Sequence, residues 1–228
     1  LGPVLDVLSE PRIDSGGDIG TRAFGGDPYW VRQMGTAYIR GVHEGSGGRV
    51  ATVAKHFPGH GGSDRSTDDE VATVNKPLET LRDIELQPFA AVTSASPGDP
   101  DAPGVTDALM TSHIRYRAIH PDVRRVTPPI SFDPDGLATL FGMPGFPFAS
   151  WRDGGGLVVA DSLGVRAVRR WFDPSEATFA NRQIARQAFE AGNDVLILAQ
   201  FAVQPQWSSM LANVEDTLQY FEAQYRTD

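Results

Sequence analysis

Three apolar runs in the sequence end in polar pairs: Lys55-His56, Ser112-His113 and Asp161-Ser162. Asp161 follows Leu157-Val158-Val159-Ala160, where a carboxylate has little structural reason to stand. Capping the next helix is one such reason, since Asp is a favoured N-cap. The chemical alternative is a nucleophile or general base held rigidly at a strand end. Lys55 offers a cationic donor and His56 a donor or acceptor, a pair suited to several hydroxyls of one ligand. Pro58-Gly59 then turn the chain sharply before His60-Gly61. The His56/His60 spacing would place both rings on one helix face and invite a metal, with Asp64 as a further ligand. Pro58-Gly59 break that helix, so a metal-dependent hydrolase stands well behind the first reading.

Two loops add candidates. Thr21 to Pro28 contains Arg22, either a fixed fork for ligand oxygens or one half of a surface ion pair. The stretch from Gly61 to Glu70 is glycine-rich at its start and acidic at its end. It reads as a solvated loop, with Thr67 or Asp68 capping a short helix, or as a lid that brings Asp69 or Glu70 over a site. The glycines of Gly45–Gly48 lack the Gly-Lys-Ser/Thr of a phosphate loop, and Gly154-Gly155-Gly156 precede a strand. No Gly-x-Ser-x-Gly elbow is present and no cofactor is implied.

The elements that must position these residues alternate. Apolar runs at Val4–Leu8, Arg49–His56, Ala108–His113, Gly156–Asp161 and Asp194–Ala199 read as strands. Helical spacing marks Tyr29–His43, started by Asp27-Pro28, and Leu78–Val92, which Pro88 should kink or end early. Pro134–Phe141 suits a short helix, and Ser175–Ala191 a longer one ended by Gly192. Met210, Leu211, Val214, Leu218 and Phe221 form a helical stripe near the C-terminus. Ala95–Thr106, rich in Pro, Gly, Ser and Asp, reads as a loop. Strands buried on both faces and separated by helices imply a parallel sheet, α/β in class. In a β/α barrel, polar residues at the carboxyl ends of successive strands are where active sites are built.

Composition narrows the function classes. The chain has 228 residues, a formal net charge of -9 and no cysteine. That excludes a disulfide scaffold, and the acidic balance argues against nucleic acid as a partner. No apolar run approaches the roughly 20 residues of a membrane-spanning helix.

Lys55-His56-Phe57-Pro58-Gly59-His60-Gly61 resembles the signature of the N-terminal catalytic domain of glycoside hydrolase family 3, in its bacterial β-N-acetylglucosaminidase branch. Similar segments follow the family's order: Arg22-Ala23-Phe24-Gly25 with Asp27-Pro28, Ala108 to His113, Leu157 to Leu163, and Ala191-Gly192-Asn193-Asp194. The resemblance implies a (β/α)8 TIM-type barrel and a retaining glycosidase acting on β-N-acetylglucosaminides or β-glucosides. Asp161 would form the glycosyl-enzyme, and Arg22, Lys55 and His56 would grip the sugar with His113 nearby. Beside Lys and Arg, a buried Asp161 should stay ionised. The partner implied is a carbohydrate substrate.

Two departures accompany the resemblance. Where that branch carries Asp-Ser-His, with His as acid/base, this sequence reads Asp68-Asp69-Glu70. Glu70 or Asp69 then takes the role, the acid/base lies elsewhere, or the chain is a carbohydrate-binding pseudoenzyme. The five strands also fall short of eight, so residues 1–228 are expected to form one incomplete barrel. In that reading the first two strands would precede Leu1, an early-strand Asp that holds the sugar would be lost with them, and open sheet edges would favour pairing.

Overall fold

The computed structural model describes residues 1–11, 19–63, 65–120, 126–204 and 206–226. Its main sheet is parallel: β1 (Val53–Phe57), β3 (Ala108–Thr111), β5 (Leu157–Ala160) and β6 (Val195–Leu196), in that spatial order. The segment at Val4 extends it beyond β1, with Lys55 N–H donating to Pro3 O at 2.9 Å and Leu5 N–H to Lys55 O at 2.6 Å. All five expected strands therefore pair in sequence order, as an open arc of a β/α barrel. A second parallel pair, β2 (Ala72–Val74) with β4 (Ile114–Tyr116), grows from the loops after β1 and β3. Sequence reading gave no sign of it, because each strand is only 3 residues long.

Alternation along the strands divides the core. Val53, Ala108, Met110 and Val159 cluster with Ile197 on one face. Ala54 and Leu109 turn the other way, into a larger cluster with α1 (Pro28–Ser46), α3 (Leu86–Ala91) and α5 (Phe148–Asp153). Lys55 and Asp161 lie two residues beyond Val53 and Val159, so strand periodicity carries them onto the inner face. Phe57 is fully buried, with its ring edge-on to Phe89 and Phe148 at 5.4 and 5.2 Å. It anchors the end of β1 on which the signature loop turns.

Local chemistry explains most element ends. Asp27 caps α1 by accepting from Tyr29 N–H at 2.8 Å, and Gly47, at φ +63°, closes it. The helix expected over 78–92 begins as α2 (Leu78–Thr80), widens into a π-helical stretch at Leu81–Glu85, and continues as α3. That widening, where Leu86 N–H reaches back to Leu81 O, absorbs Pro88 without ending the helix. Asp133 caps α4 (Pro134–Phe141) through Gly136 N–H.

The helix expected from Ser175 starts later, as α7 (Asn181–Glu190), after an unanticipated α6 (Arg166–Phe172). Asp173 holds Ser175 and Thr178 through side-chain and backbone donors, and those bonds compete with the helix. In α8 (Trp207–Tyr225) only part of the expected stripe is used. Val214 and Phe221 pack inward, while Leu211 and Leu218 are exposed. Among the described residues no helix is long and apolar enough to cross a membrane.

Candidate active site

The strand ends bring Lys55, His56, His113 and Asp161 to one end of the sheet, as their positions predict. Asp161 N–H donates to Thr111 O at 3.3 Å, which ties the end of β5 to β3. The Ser162 amide donates to Asp161 Oδ1 at 2.7 Å, and Asp161 Oδ2 stands 3.8 Å from His56 Nε2. The Asp161 side chain is 34% exposed, so a ligand can reach it. The expectation of a carboxylate buried beside Lys and Arg is thereby corrected. Among the described residues the basic side chain within ion-pair distance of Asp161 is His56, and neither Lys55 nor Arg22 reaches it.

His56 is buried and oriented from behind. Its Nδ1 lies 2.8 Å from Asp6 Oδ2, and its backbone N–H donates to Asp6 Oδ1 at 3.2 Å. The His60 amide donates to the same Oδ1 at 2.6 Å. Asp6 is fully buried. Burial alone would raise its carboxyl, yet the charge of His56 and the bonds from His56 and His60 hold it below the ordinary range. Asp6 was not among the residues singled out in the sequence. The signal was present, since Asp6 follows Val4-Leu5 as Asp161 follows Val159-Ala160.

His113 is also buried, with both ring nitrogens engaged by protein. Nε2 lies 2.9 Å from Ser162 O, a carbonyl that can only accept, so Nε2 carries a proton. Nδ1 lies 2.7 Å from Ser131 Oγ. Burial lowers the His113 pKa against the opposing charge of Asp161. The geometry makes His113 a brace behind the Asp161–Ser162 turn. Asn193, in the Ala-Gly-Asn-Asp segment, braces the same region. It accepts from Thr111 Oγ1 at 2.8 Å and donates to Ser131 O at 2.9 Å.

Lys55 is half-buried and Arg22 exposed, and neither side chain has a hydrogen-bond or ion-pair partner among the described residues. Their donors are available to a ligand. The His56 and His60 rings lie 5.5 Å apart, with His56 Nδ1 engaged by Asp6 and His60 Nε2 by Thr67 Oγ1 at 2.8 Å. Asp64, the third member of the metal reading, lies outside the described residues.

The start of the loop after the signature packs against the fold, while its acidic end, Asp68 to Glu70, is exposed, as the solvated reading expects. A Cβ on Gly61 would sit 1.8 Å from Val7 O, so only glycine lets the chain pass there. Ala167 N–H donates to Asp68 O at 2.9 Å. Thr67 meets His60 and caps no helix. Glu70 Oε2 pairs with Arg65 at 2.9 Å and Oε1 with Arg170 on α6 at 3.2 Å. Among the described residues of the loop, Asp68 is the carboxylate whose charge acts on His60 and His113, while Asp69 and Glu70 act on Arg166. Among the described residues neither Asp69 nor Glu70 touches Asp161.

The sequence matches the family model described as Glycosyl hydrolase family 3 N terminal domain over residues 1–226. It is 34% identical over 169 residues to a beta-hexosaminidase of Xylella fastidiosa (strain 9a5c), covering 72% of this chain and 43% of that protein. A beta-hexosaminidase of Stenotrophomonas maltophilia (strain K279a) is 34% identical over 164 residues, covering 70% of this chain and 44% of its own. The match thus spans less than half the length of these curated relatives. A glycoside hydrolase family 3 beta-N-acetylglucosaminidase from Paenibacillus sp. str. FPU-7 superposes with a TM-score of 0.70 at 25% identity, over 100% of this chain and 36% of that one.

Proposed function

This chain belongs to glycosyl hydrolase family 3, and from that premise we propose that it serves a retaining β-glycosidase acting on β-N-acetylhexosaminides or β-glucosides; the names of its curated relatives support the first of these. The observation that carries this reading is Asp161. It stands half-buried yet reachable at the carboxyl end of β5, its Oδ1 is fixed by the Ser162 amide, and its Oδ2 faces His56.

In the first step an Asp161 oxygen attacks the anomeric carbon, the bond to the aglycone oxygen breaks, and that oxygen takes a proton from an acid. In the second, water attacks the same carbon, gives a proton to the conjugate base, and releases Asp161. Lys55 and Arg22 supply donors to the sugar hydroxyls, and His56 Nε2 faces both sugar and nucleophile. The loop of Asp68, Asp69 and Glu70 supplies the acid/base, with Glu70 and then Asp69 as the candidates. A second reading, a carbohydrate-binding pseudoenzyme of the same barrel, draws on the two arginines that occupy Glu70.

The test is Asp161→Asn assayed on an activated β-glycoside. Turnover should fall by about 1,000-fold or more, with thermal stability held. Wild-type rates in the variant would sink the assignment. Sugar binding by calorimetry without any turnover in the unmodified chain would select the pseudoenzyme.

A further inference from the structure

A buried polar cluster outside the proposed chemistry lies behind His56. Asp6 is fully buried at the end of the first paired segment, and its two oxygens receive three donors. Two are backbone amides, of His56 and His60, both directed at Oδ1. These bonds pin the carboxylate plane. Oδ2 is left for a single partner, His56 Nδ1 at 2.8 Å.

We propose that Asp6 is the positioning residue of the site: it fixes His56 with a proton on Nδ1 and aims Nε2 at Asp161 and the sugar. The logic is geometric. An ionised carboxylate can only accept, so the ring nitrogen facing it must donate. The backbone anchors stop the carboxylate from rotating away, and burial excludes water as a substitute acceptor. With Nδ1 committed, the nitrogen 3.8 Å from Asp161 Oδ2 is the one whose state can respond to substrate and nucleophile. Its catalytic consequence rests on the glycosidase reading above; the tautomer does not.

Asp6→Asn tests it. The amide oxygen can keep both backbone bonds at Oδ1, while the NH2 group then faces Nδ1 and demands an acceptor there. The fold should hold and the His56 tautomer should invert. Two-bond 15N–1H correlation spectra of the histidine rings read this directly. Wild type should show His56 protonated at Nδ1, and Asp6→Asn should show Nδ1 bare and Nε2 protonated. A bare Nδ1 in the wild type overturns the proposal without any variant, which keeps the test decisive should Asp6→Asn fail to fold.

In the active chain, kcat of Asp6→Asn should fall by about 100-fold or more with KM changed far less. A purely structural Asp6 would lower stability and leave the tautomer alone. An inverted tautomer with wild-type kcat would also overturn the role. Should the unmodified chain hydrolyse no glycoside, the glycosidase reading fails, and the spectra still decide whether Asp6 sets His56.

Discussion

His56 Nε2 stands 3.8 Å from Asp161 Oδ2, across the carboxyl ends of β1 and β5. Neither strand neighbours the other, since β3 lies between them. The contact spans β3 where the β1 register shifts between Lys55 and Phe57, at the end of the sheet that also carries Asp161. His56 is buried and held by Asp6, whereas Asp161 keeps an open face. A braced imidazole beside an accessible carboxylate is an arrangement suited to attack at an anomeric carbon.

The acid/base is separable from the nucleophile by leaving-group dependence. With Glu70 in that role, Glu70→Gln should slow hydrolysis of an unactivated β-glycoside by about 100-fold or more and barely affect a nitrophenyl glycoside. Asp69→Asn should do neither. Rates measured across aglycones of graded acidity check this. Equal losses on good and poor leaving groups would remove Glu70 from the role and leave its ion pairs with Arg65 and Arg170 as its purpose.

The signature loop should depend on Gly61 for shape. The added Cβ of Gly61→Ala would meet Val7 O at 1.8 Å, so the backbone must move. A cost of about 1–3 kcal/mol is expected, with weaker sugar binding because His60 and Thr67 shift with the loop. Thermal melts and calorimetry read both effects. A variant with wild-type stability and affinity would show that the loop tolerates displacement.

Acid should destabilise the fold through its buried histidines. Burial lowers both His60 and His113 from the ordinary value of 6.5. Unfolded, each would bind a proton more readily, so the stability they contribute is full above pH 6.5 and is lost as pH falls through their folded values. Asp6, lowered from 3.8, adds a further loss at lower pH. Glu85 acts in the opposite sense, since burial raises it against the opposing bond from Lys76. Melting temperature should therefore drop as pH falls below about 6.5, and His60→Gln should flatten the slope. An unchanged slope in that variant would take His60 out of the account.

Much of this was legible in the residues. The four strands of the main sheet and the segment bridged at Val4 are short, apolar and interrupted by turns, so periodicity and glycine placement located them. Their exact lengths were not legible, because Arg49 to Thr52 lie outside β1 while Asp107 takes the Thr52 amide at 2.6 Å. The β2–β4 pair and α5 and α6 escaped because short elements carry too few residues for a period to show. In the site, Asp161, Lys55 and His56 announced themselves as polar endings of apolar runs. Asp6 ends its run in the same way, but its meaning lies in His56, 50 residues on, and only the fold brings the two together. Asn193 is likewise a tertiary residue, readable only once β3 and the turn at Ser131 meet it.

The most direct test of the central claim is a mass measurement. The chain is incubated with an activated 2-fluoro-glucoside and, separately, with an activated 5-fluoro-N-acetylglucosaminide, and its intact mass is followed. The account predicts an added mass of one sugar, mapped by peptide digestion to Asp161, absent from Asp161→Asn, and formed faster with the acetylglucosamine probe. A folded chain that binds sugar yet gains no adduct, or an adduct on another carboxylate, would contradict it.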